Sequence, residues 1–402
     1  MKRTVAHLLP NHNPFPPTYP AGTELRVEMV SRRQVRYRPV VVCGWFEGQA
    51  DTEELSPMRI RRIRVGRVYR RLFQKITRLD PFPYVERMRR ILQDEQAAIA
   101  HIHNEPKLLS GLAPRLAQSS LPVVVHVANE KPLPRSETHR VARWIACSRY
   151  IQDWLERDNA IPADRIQVIY TGVDAAARPP RWRVSDSMRA GLRQGFGVVD
   201  PQATVLLFAG RLVKEKGVRE LLDAYERLRR RTPRPIVLLV AGNVRDSDDP
   251  DNEKAVYGKA VTKRMASMEG VRWVGSLRPD QMHDFLLAGD VFVMPSLWND
   301  PFPTVMLEAA AAGLPIVAPA RGGIAEFLEG CTDFSFVTDA ADPDAIATGI
   351  LRYVESPGAR ESAGHWLRER VERAFGWDRV CGEFEDLYDR LLQDPRRLRA
   401  AP

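Results

Sequence analysis

The chain has 402 residues, of which 44% are apolar and 28% charged, and a net charge of +9. That length exceeds what one hydrophobic core usually organises, so two domains of about 200 residues each are expected, and the composition excludes a disordered or fibrous chain. Cys43, Cys147, Cys331 and Cys381 form no CxxC pair and match no histidine spacing, which speaks against a zinc site or a disulfide framework and for a reducing compartment.

The N-terminal MKRTVAHLLPNHNPFPP is basic, but its apolar stretch VAHLLP is too short for a signal peptide. No apolar run approaches the roughly 20 residues that a membrane-crossing helix needs. The expectation is a cytoplasmic protein, soluble or held peripherally at the inner face of the membrane. Between Met58 and Leu72, Arg59, Arg61, Arg62, Arg64, Arg67, Arg70 and Arg71 are interspersed with Ile60, Ile63, Val65, Val68 and Tyr69. This stretch reads as a solvated arginine-rich face or, alternatively, as a surface that meets anionic lipid. Nucleic acid is not expected as a partner, because aromatic and basic residues do not interleave as base-reading surfaces require.

In the first half, Val40–Cys43, Ala98–Ile102, Val123–Val127, Trp144–Cys147 and Gln167–Tyr170 read as strands, with Tyr84–Gln96 and Arg149–Arg157 as helices between them. Ala175–Trp182, AAARPPRW, carries paired prolines that break both kinds of element and predicts a linker. Beyond it, strands are expected at Ala203–Ala209, Ile236–Ala241, Val271–Val274, Val291–Met294 and Pro315–Ala318. Helices are expected at Arg219–Arg231, Pro279–Leu287, Val305–Ala312 and Asp344–Glu355. Alternation in both halves implies an α/β protein of two Rossmann-like, doubly wound domains facing a central cleft at the carboxyl ends of their strands. The domains are expected over 1–178 and 183–376, with a terminal helix over 377–395.

Two segments carry chemistry. In FAGRLVKEKG, Phe208–Gly217, a strand ends in a glycine and a basic loop leads to a helix. Gly210 lets a phosphate approach the backbone, and Arg211 and Lys216 supply a fork and a point charge to neutralise a diphosphate. The order of a Walker loop is absent. In PSLWNDPFPTVMLEAAAAGLPIVAPARGGIAE, Pro295–Glu326, Asp300 precedes a helix that carries Glu308. Backbone N–H groups near Thr304–Met306 then face an anion between two carboxylates, which suit sugar and ribose hydroxyls.

Together with PAGTE (Pro20–Glu24), ACSRYIQDWL (Ala146–Leu155) and VIYTGVD (Val168–Asp174), these segments resemble the family 4 glycosyltransferases of GT-B fold, retaining enzymes with an E-x7-E motif. The resemblance covers nearly the whole chain. It implies that Gly22 approaches the donor diphosphate, that Arg211 and Lys216 bind it and support its departure, that Asp300 meets the transferred sugar and that Glu308 meets the ribose. It also implies that the backbone of Phe302, Pro303, Thr304 and Val305 holds phosphate and sugar, and that Val274–Leu277 contacts the base. Here the first acid is Asp300 (D-x7-E), Pro303 stands where glycine is usual and Thr171 where asparagine is usual. The family's histidine at the reacting sugar corresponds either to His126 or to the position of Ala128.

His101, His103 and Asn104 lie at another strand end and are candidates for the acceptor side. The HxH spacing suggests a metal but lacks a third ligand nearby, so no metal is expected. Trp377 and Tyr388 resemble the family's last helix, with a structural role. The implied activity is a retaining hexosyl transfer from a nucleotide-diphosphate sugar to an acceptor hydroxyl, in surface polysaccharide or glycolipid assembly. UDP-sugar is favoured as donor, with GDP-mannose as the alternative. The nucleotide sugar is substrate, the acceptor is a glycan or a lipid-linked glycan, and no cofactor is expected, since no DxD motif appears. The competing readings are a nucleotide-sugar epimerase of related fold and a non-catalytic basic lipid- or polymer-binding protein.

Overall fold

The structure, a computed structural model, describes residues 2–18, 21–65, 84–116, 119–244, 249, 251–331, 336–337 and 339–393. It divides into two compact units, Met1–Thr171 with Trp377–Pro402, and Gly172–Gly376. The first carries β1 (Thr4–Leu8), α1 (Gly22–Arg33), β2 (Arg38–Gly44), β3 (Thr52–Leu55), β4 (Met58–Ile63), α2 (Tyr84–Asp94), β5 (Ala97–His103), α3 (Pro106–Leu116), β6 (Val123–Val127), β7 (Arg143–Ala146), α4 (Arg149–Arg157) and β8 (Ile166–Val168). The second carries α5 (Asp186–Gly195), β9 (Thr204–Ala209), α6 (Val218–Arg231), β10 (Ile236–Ala241), α7 (Glu253–Ser267), β11 (Val271–Gly275), α8 (Pro279–Ala288) and β12 (Val291–Val293). It continues with α9 (Thr304–Ala311), β13 (Ile316–Pro319), α10 (Gly322–Phe327), β14 (Phe336–Val337), α11 (Pro343–Glu355) and α12 (Pro357–Ala374). The last helix, α13 (Trp377–Gln393), belongs to the first unit.

Strands such as VVVHV in β6 and TVLLFA in β9 are buried along their whole length, as parallel strands covered on both faces must be. The first sheet runs β3-β4-β2-β1-β5-β6-β7-β8 and the second β11-β10-β9-β12-β13-β14. Pairing is parallel throughout except for the antiparallel β3–β4 edge. Strand order reverses between β1 and β5 in one sheet and between β9 and β12 in the other. The carboxyl ends of those strands are where an open α/β sheet receives ligands.

Apolar residues of α13 at helical spacing explain its place in the first unit. Phe384, Leu387, Tyr388 and Leu391 pack with Val5, Ile99, Val124 and Ile145 of the sheet and Val30 of α1. Buried Glu385 accepts the backbone N–H groups of Val35 and Arg36 at 2.8 and 2.7 Å. In the second unit α6 and α11 cover the sheet through Leu221, Leu222, Tyr225, Ile346, Ile350 and Tyr353.

Two expectations are corrected by packing. The change of unit falls at Thr171/Gly172, ahead of the expected linker Ala175–Trp182. That segment is fixed inside the second unit: Arg368 of α12 donates to the carbonyls of Ala175 and Arg178 at 2.7 and 2.8 Å. The arginine-rich stretch forms a strand over Met58–Ile63. Met58 and Ile60 point inward while Arg59 pairs with Glu54 and Glu95, Arg61 with Glu95, Arg62 with Glu53 and Arg64 with Asp51. These charges are taken up by acids of the same unit, which weakens the lipid-facing reading. Arg67, Arg70 and Arg71 lie outside the described residues. Among the described residues no helix is long and apolar enough to cross a membrane.

Candidate active site

In the second unit the loops that follow β9 and β12 meet at the reversal of strand order. Gly217 ends the first loop at φ +68°, a left-handed conformation that favours glycine, and a Cβ there would lie 1.9 Å from the carbonyl oxygen of Pro295. Leu297 N–H donates to Glu215 O at 3.0 Å. Stitched this way, the loops bring Lys216 Nζ into an ion pair with the carboxylate of Asp300, a group that is 5% exposed, and set it 5.5 Å from the centre of the Trp298 ring. Among the described residues the Arg211 side chain makes no ion pair or hydrogen bond, and the residue is exposed, its carbonyl accepting Val213 N–H at 3.0 Å. The two basic residues therefore divide: one is held by a carboxylate and the other is open.

Asp300 is fixed from behind by Arg321-Gly322-Gly323. Gly323 N–H donates to Asp300 O at 2.9 Å, and a Cβ at Gly322 or Gly323 would stand 2.4 Å from Asp300 O or 1.9 Å from Pro301 O. Phe302 is buried with its ring 5.7 Å from that of Phe375. Pro303 begins α9 without a side-chain cap, with Thr304 exposed and Val305 half-buried. The uncapped start contrasts with Ser148, Ser185, Asn252, Asp342 and Ser356, whose side chains cap α4, α5, α7, α11 and α12. Gly217 ahead of α6 and Ala21 ahead of α1 likewise give no side-chain cap. Uncapped first turns leave N–H groups and the positive end of the helix dipole for an external acceptor.

Glu308 does not meet Asp300's partner. Its side chain, 27% exposed, accepts from Arg178 Nη1 at 3.3 Å. Burial raises its carboxyl above the ordinary range, and the Arg178 charge opposes that rise. Arg178 was not marked by the sequence, because it lies inside the expected linker and 130 positions from its partner. On the far side of the sheet ends, Gly210 N–H donates to Ala241 O at 3.0 Å and Gly242 N–H to Gly275 O at 2.8 Å, linking the β9, β10 and β11 termini. A Cβ at Gly210 would meet only the Phe208 ring, at 3.4 Å, so packing does not demand glycine there. Val274 and Leu277 line a cavity of about 650 Å³ with Phe196, Arg272, Trp273 and Gln281.

In the first unit Gly22 opens α1, and a Cβ on it would meet nothing within 4 Å. His126 differs from its expected place at a reaction centre. It is fully buried within β6, its ring 6.1 Å from that of Phe384, while Ala128 is the partly exposed residue past the strand end. His101 and His103 are also buried, and His101 packs against α13, its Nδ1 lying 2.7 Å from the Tyr388 hydroxyl. As placed, neither lines an accessible acceptor surface, because inward positions of a central strand face the covering helices. Asn104, at φ +50°, does stand at the strand end and accepts Ala128 N–H on its side chain at 3.1 Å and Lys131 Nζ on its carbonyl at 2.7 Å. The third ligand that the HxH spacing lacks is present in space: His7 of β1 joins His101 and His103.

Chemically, the second unit presents an open guanidinium, a lysine held by a buried acid, an uncapped helix start and a second acid beside an arginine. That set suits an anion carrying hydroxyl-bearing groups on either side. The chain matches the model of Glycosyltransferase Family 4 over residues 20–177 and that of Glycosyl transferases group 1 over residues 203–356. It is 29% identical to the lipopolysaccharide 1,2-N-acetylglucosaminetransferase of Salmonella typhimurium, across 92% of this chain and 94% of that protein. Among solved structures it is similar to sucrose-phosphate synthase from Thermosynechococcus elongatus, with TM-score 0.79, 18% identity and coverage of 98% of this chain and 100% of that one. It is also similar to HepE of Anabaena in complex with UDP-glucose, with TM-score 0.74, 18% identity and coverage of 96% and 99%. Two family models spanning most of both units, and a fold shared along almost the entire chain, show that this enzyme belongs to the family 4 glycosyltransferases of GT-B fold.

Proposed function

We propose that the enzyme transfers a sugar, with retention of anomeric configuration, from a UDP-sugar to a hydroxyl of a surface glycan or glycolipid. The observation that carries this reading is the Lys216–Asp300 pair set at the β9/β12 reversal, before an uncapped helix start and beside the open Arg211. A relative named for N-acetylglucosamine transfer in lipopolysaccharide and a structural neighbour holding UDP-glucose support the donor and acceptor classes.

In this reading the diphosphate lies against Arg211, Lys216 and the first turn of α9, with the backbone close approach at Gly210, where packing demands no glycine. Glu308 accepts from the ribose hydroxyls and Asp300 from the transferred sugar, while Val274 and Leu277 line the base side. Lys216 is already oriented by Asp300, so little reorganisation accompanies the growth of negative charge on the departing diphosphate. Preorganised cations stabilise such charge most effectively. The acceptor attacks from the face that the diphosphate leaves, and a phosphate oxygen takes its proton. Incubating the protein with a panel of UDP- and GDP-sugars and truncated lipopolysaccharide acceptors tests this. Product with the donor's anomeric configuration, read from the proton coupling constant, is expected; an inverted product would overturn the mechanism, and turnover only with GDP-sugars would overturn the donor.

A further inference from the structure

We propose that His7, His101 and His103 form a binding site for a transition-metal ion, zinc by preference, inside the first unit. Strand register assembles it: β1 and β5 pair in parallel with His7 opposite His101, and the two-residue period of a strand puts His103 on the same face. One ligating nitrogen from each of the three lies within 4.8 Å of the others, and no other such group occurs among the described residues. His7 Nδ1 and His103 Nε2 are 3.0 Å apart, and the His101 and His103 rings are 3.9 Å apart, centre to centre. With Zn–N bonds of about 2.0–2.1 Å in a tetrahedral site, neighbouring nitrogens stand about 3.3 Å apart.

Hydrogen bonds behind the rings choose which nitrogens turn inward. His7 Nε2–H donates to Gln34 Oε1 at 3.1 Å, which leaves Nδ1 as the lone pair. His101 Nδ1 engages the Tyr388 hydroxyl at 2.7 Å, which leaves Nε2, a buried atom with no other partner. Such backing partners fix tautomer and orientation at metal sites. Three imidazoles and no carboxylate select zinc, cobalt or copper over magnesium and calcium, which take oxygen ligands. One group opposes the ion: the buried guanidinium of Arg26, unpartnered at Nε and Nη2, acts on His101 and His103. His126, with its ring 6.1 Å from that of His103, stands beside the three but outside them.

The test uses the full-length protein, stripped with a chelator, reloaded with zinc and desalted. Stoichiometric zinc by plasma mass spectrometry is expected, as are the visible bands of an imidazole-bound ion when cobalt replaces it. His103→Ala, checked for fold by circular dichroism, should lose the metal. Tyr388→Phe and Gln34→Leu, acting through His101 and His7, should weaken zinc by about 10- to 100-fold, and Arg26→Gln should tighten it. Substoichiometric zinc in the wild type, or retention in a folded His103→Ala variant, would overturn the proposal. Should that variant not fold, an unchanged zinc affinity in Tyr388→Phe would overturn it instead. UDP binding, a property assigned to the second unit, is measured in parallel and is expected to be independent of zinc.

Discussion

Arg211 and Lys216 are neighbours in sequence with different surroundings, and their substitutions should separate accordingly. Arg211→Ala removes an exposed cation whose side chain makes no hydrogen bond or ion pair among the described residues, so the melting temperature should hold while UDP binding weakens by about 1.5–3 kcal/mol, the worth of a hydrogen bond to a charged group. Lys216→Met also strips the counter-ion from Asp300, whose side chain is 8% exposed, and calorimetry should show lost stability as well as lost affinity. Arg178 makes a pH prediction. Burial raises the Glu308 carboxyl and Arg178 opposes the rise. Arg178→Ala should therefore keep Glu308 protonated to higher pH and move the acid limb of UDP binding upward, with Arg178→Lys restoring it; an unmoved limb would remove Glu308 from the nucleotide site. The positions of Lys216 and Asp300 in loops after strands and of Glu308 within a helix were legible from the alternation of elements. Arg178 was not, because only folding brings the Arg178 segment against α9.

At the scale of elements, glycine contacts hold the site together. A methyl at Gly323 would lie 1.9 Å from Pro301 O, a collision with backbone that must displace the loop carrying Asp300. Gly323→Ala should lower kcat at least tenfold and cost about 1–3 kcal/mol of stability, the range for overpacking; a kinetic and thermal comparison with wild type checks both. Asp290 ties α5 to the sheet, accepting from Arg189 and Arg193 at 2.6 Å each and from Val205 N–H at 2.8 Å. Burial alone raises its carboxyl, but the arginine charges and the backbone bond together hold it below its ordinary value. Its contribution is thus complete above about pH 4 and is lost as pH falls through the lowered value. Asp290→Ala should destabilise the second unit by about 3–5 kcal/mol, since the arginines are left unpaired, and should flatten its acid unfolding. Most strands were legible from continuous apolar runs. β1 was not, because the histidine in TVAHL breaks the run, and in β4 the arginines of MRIRRI hid a two-residue period.

For the whole molecule, the first unit is made from both ends of the chain. Trp377, Phe384, Leu387, Tyr388 and Leu391 are buried in its core. At about 1.5–3 kcal/mol for each large side chain, their loss rivals the 5–15 kcal/mol that hold a typical domain folded. A chain ending at Gly376 should therefore lose the first unit's melting transition and keep that of the second, as differential scanning calorimetry would show; two intact transitions would contradict this division. The α/β class was legible at this scale from alternation alone, whereas the unit boundary was not, since the prolines after Asp174 break elements without separating bodies. The central claim is that the second unit holds a nucleotide-diphosphate donor through Arg211, Lys216 and Glu308. Titration calorimetry of UDP, GDP and ADP into the wild type and into the Arg211→Ala, Glu308→Ala double variant tests it most directly. Binding of UDP in preference to the other two, abolished in the double variant, is the predicted result; no nucleotide binding by the wild type, or equal UDP binding by both proteins, would contradict it.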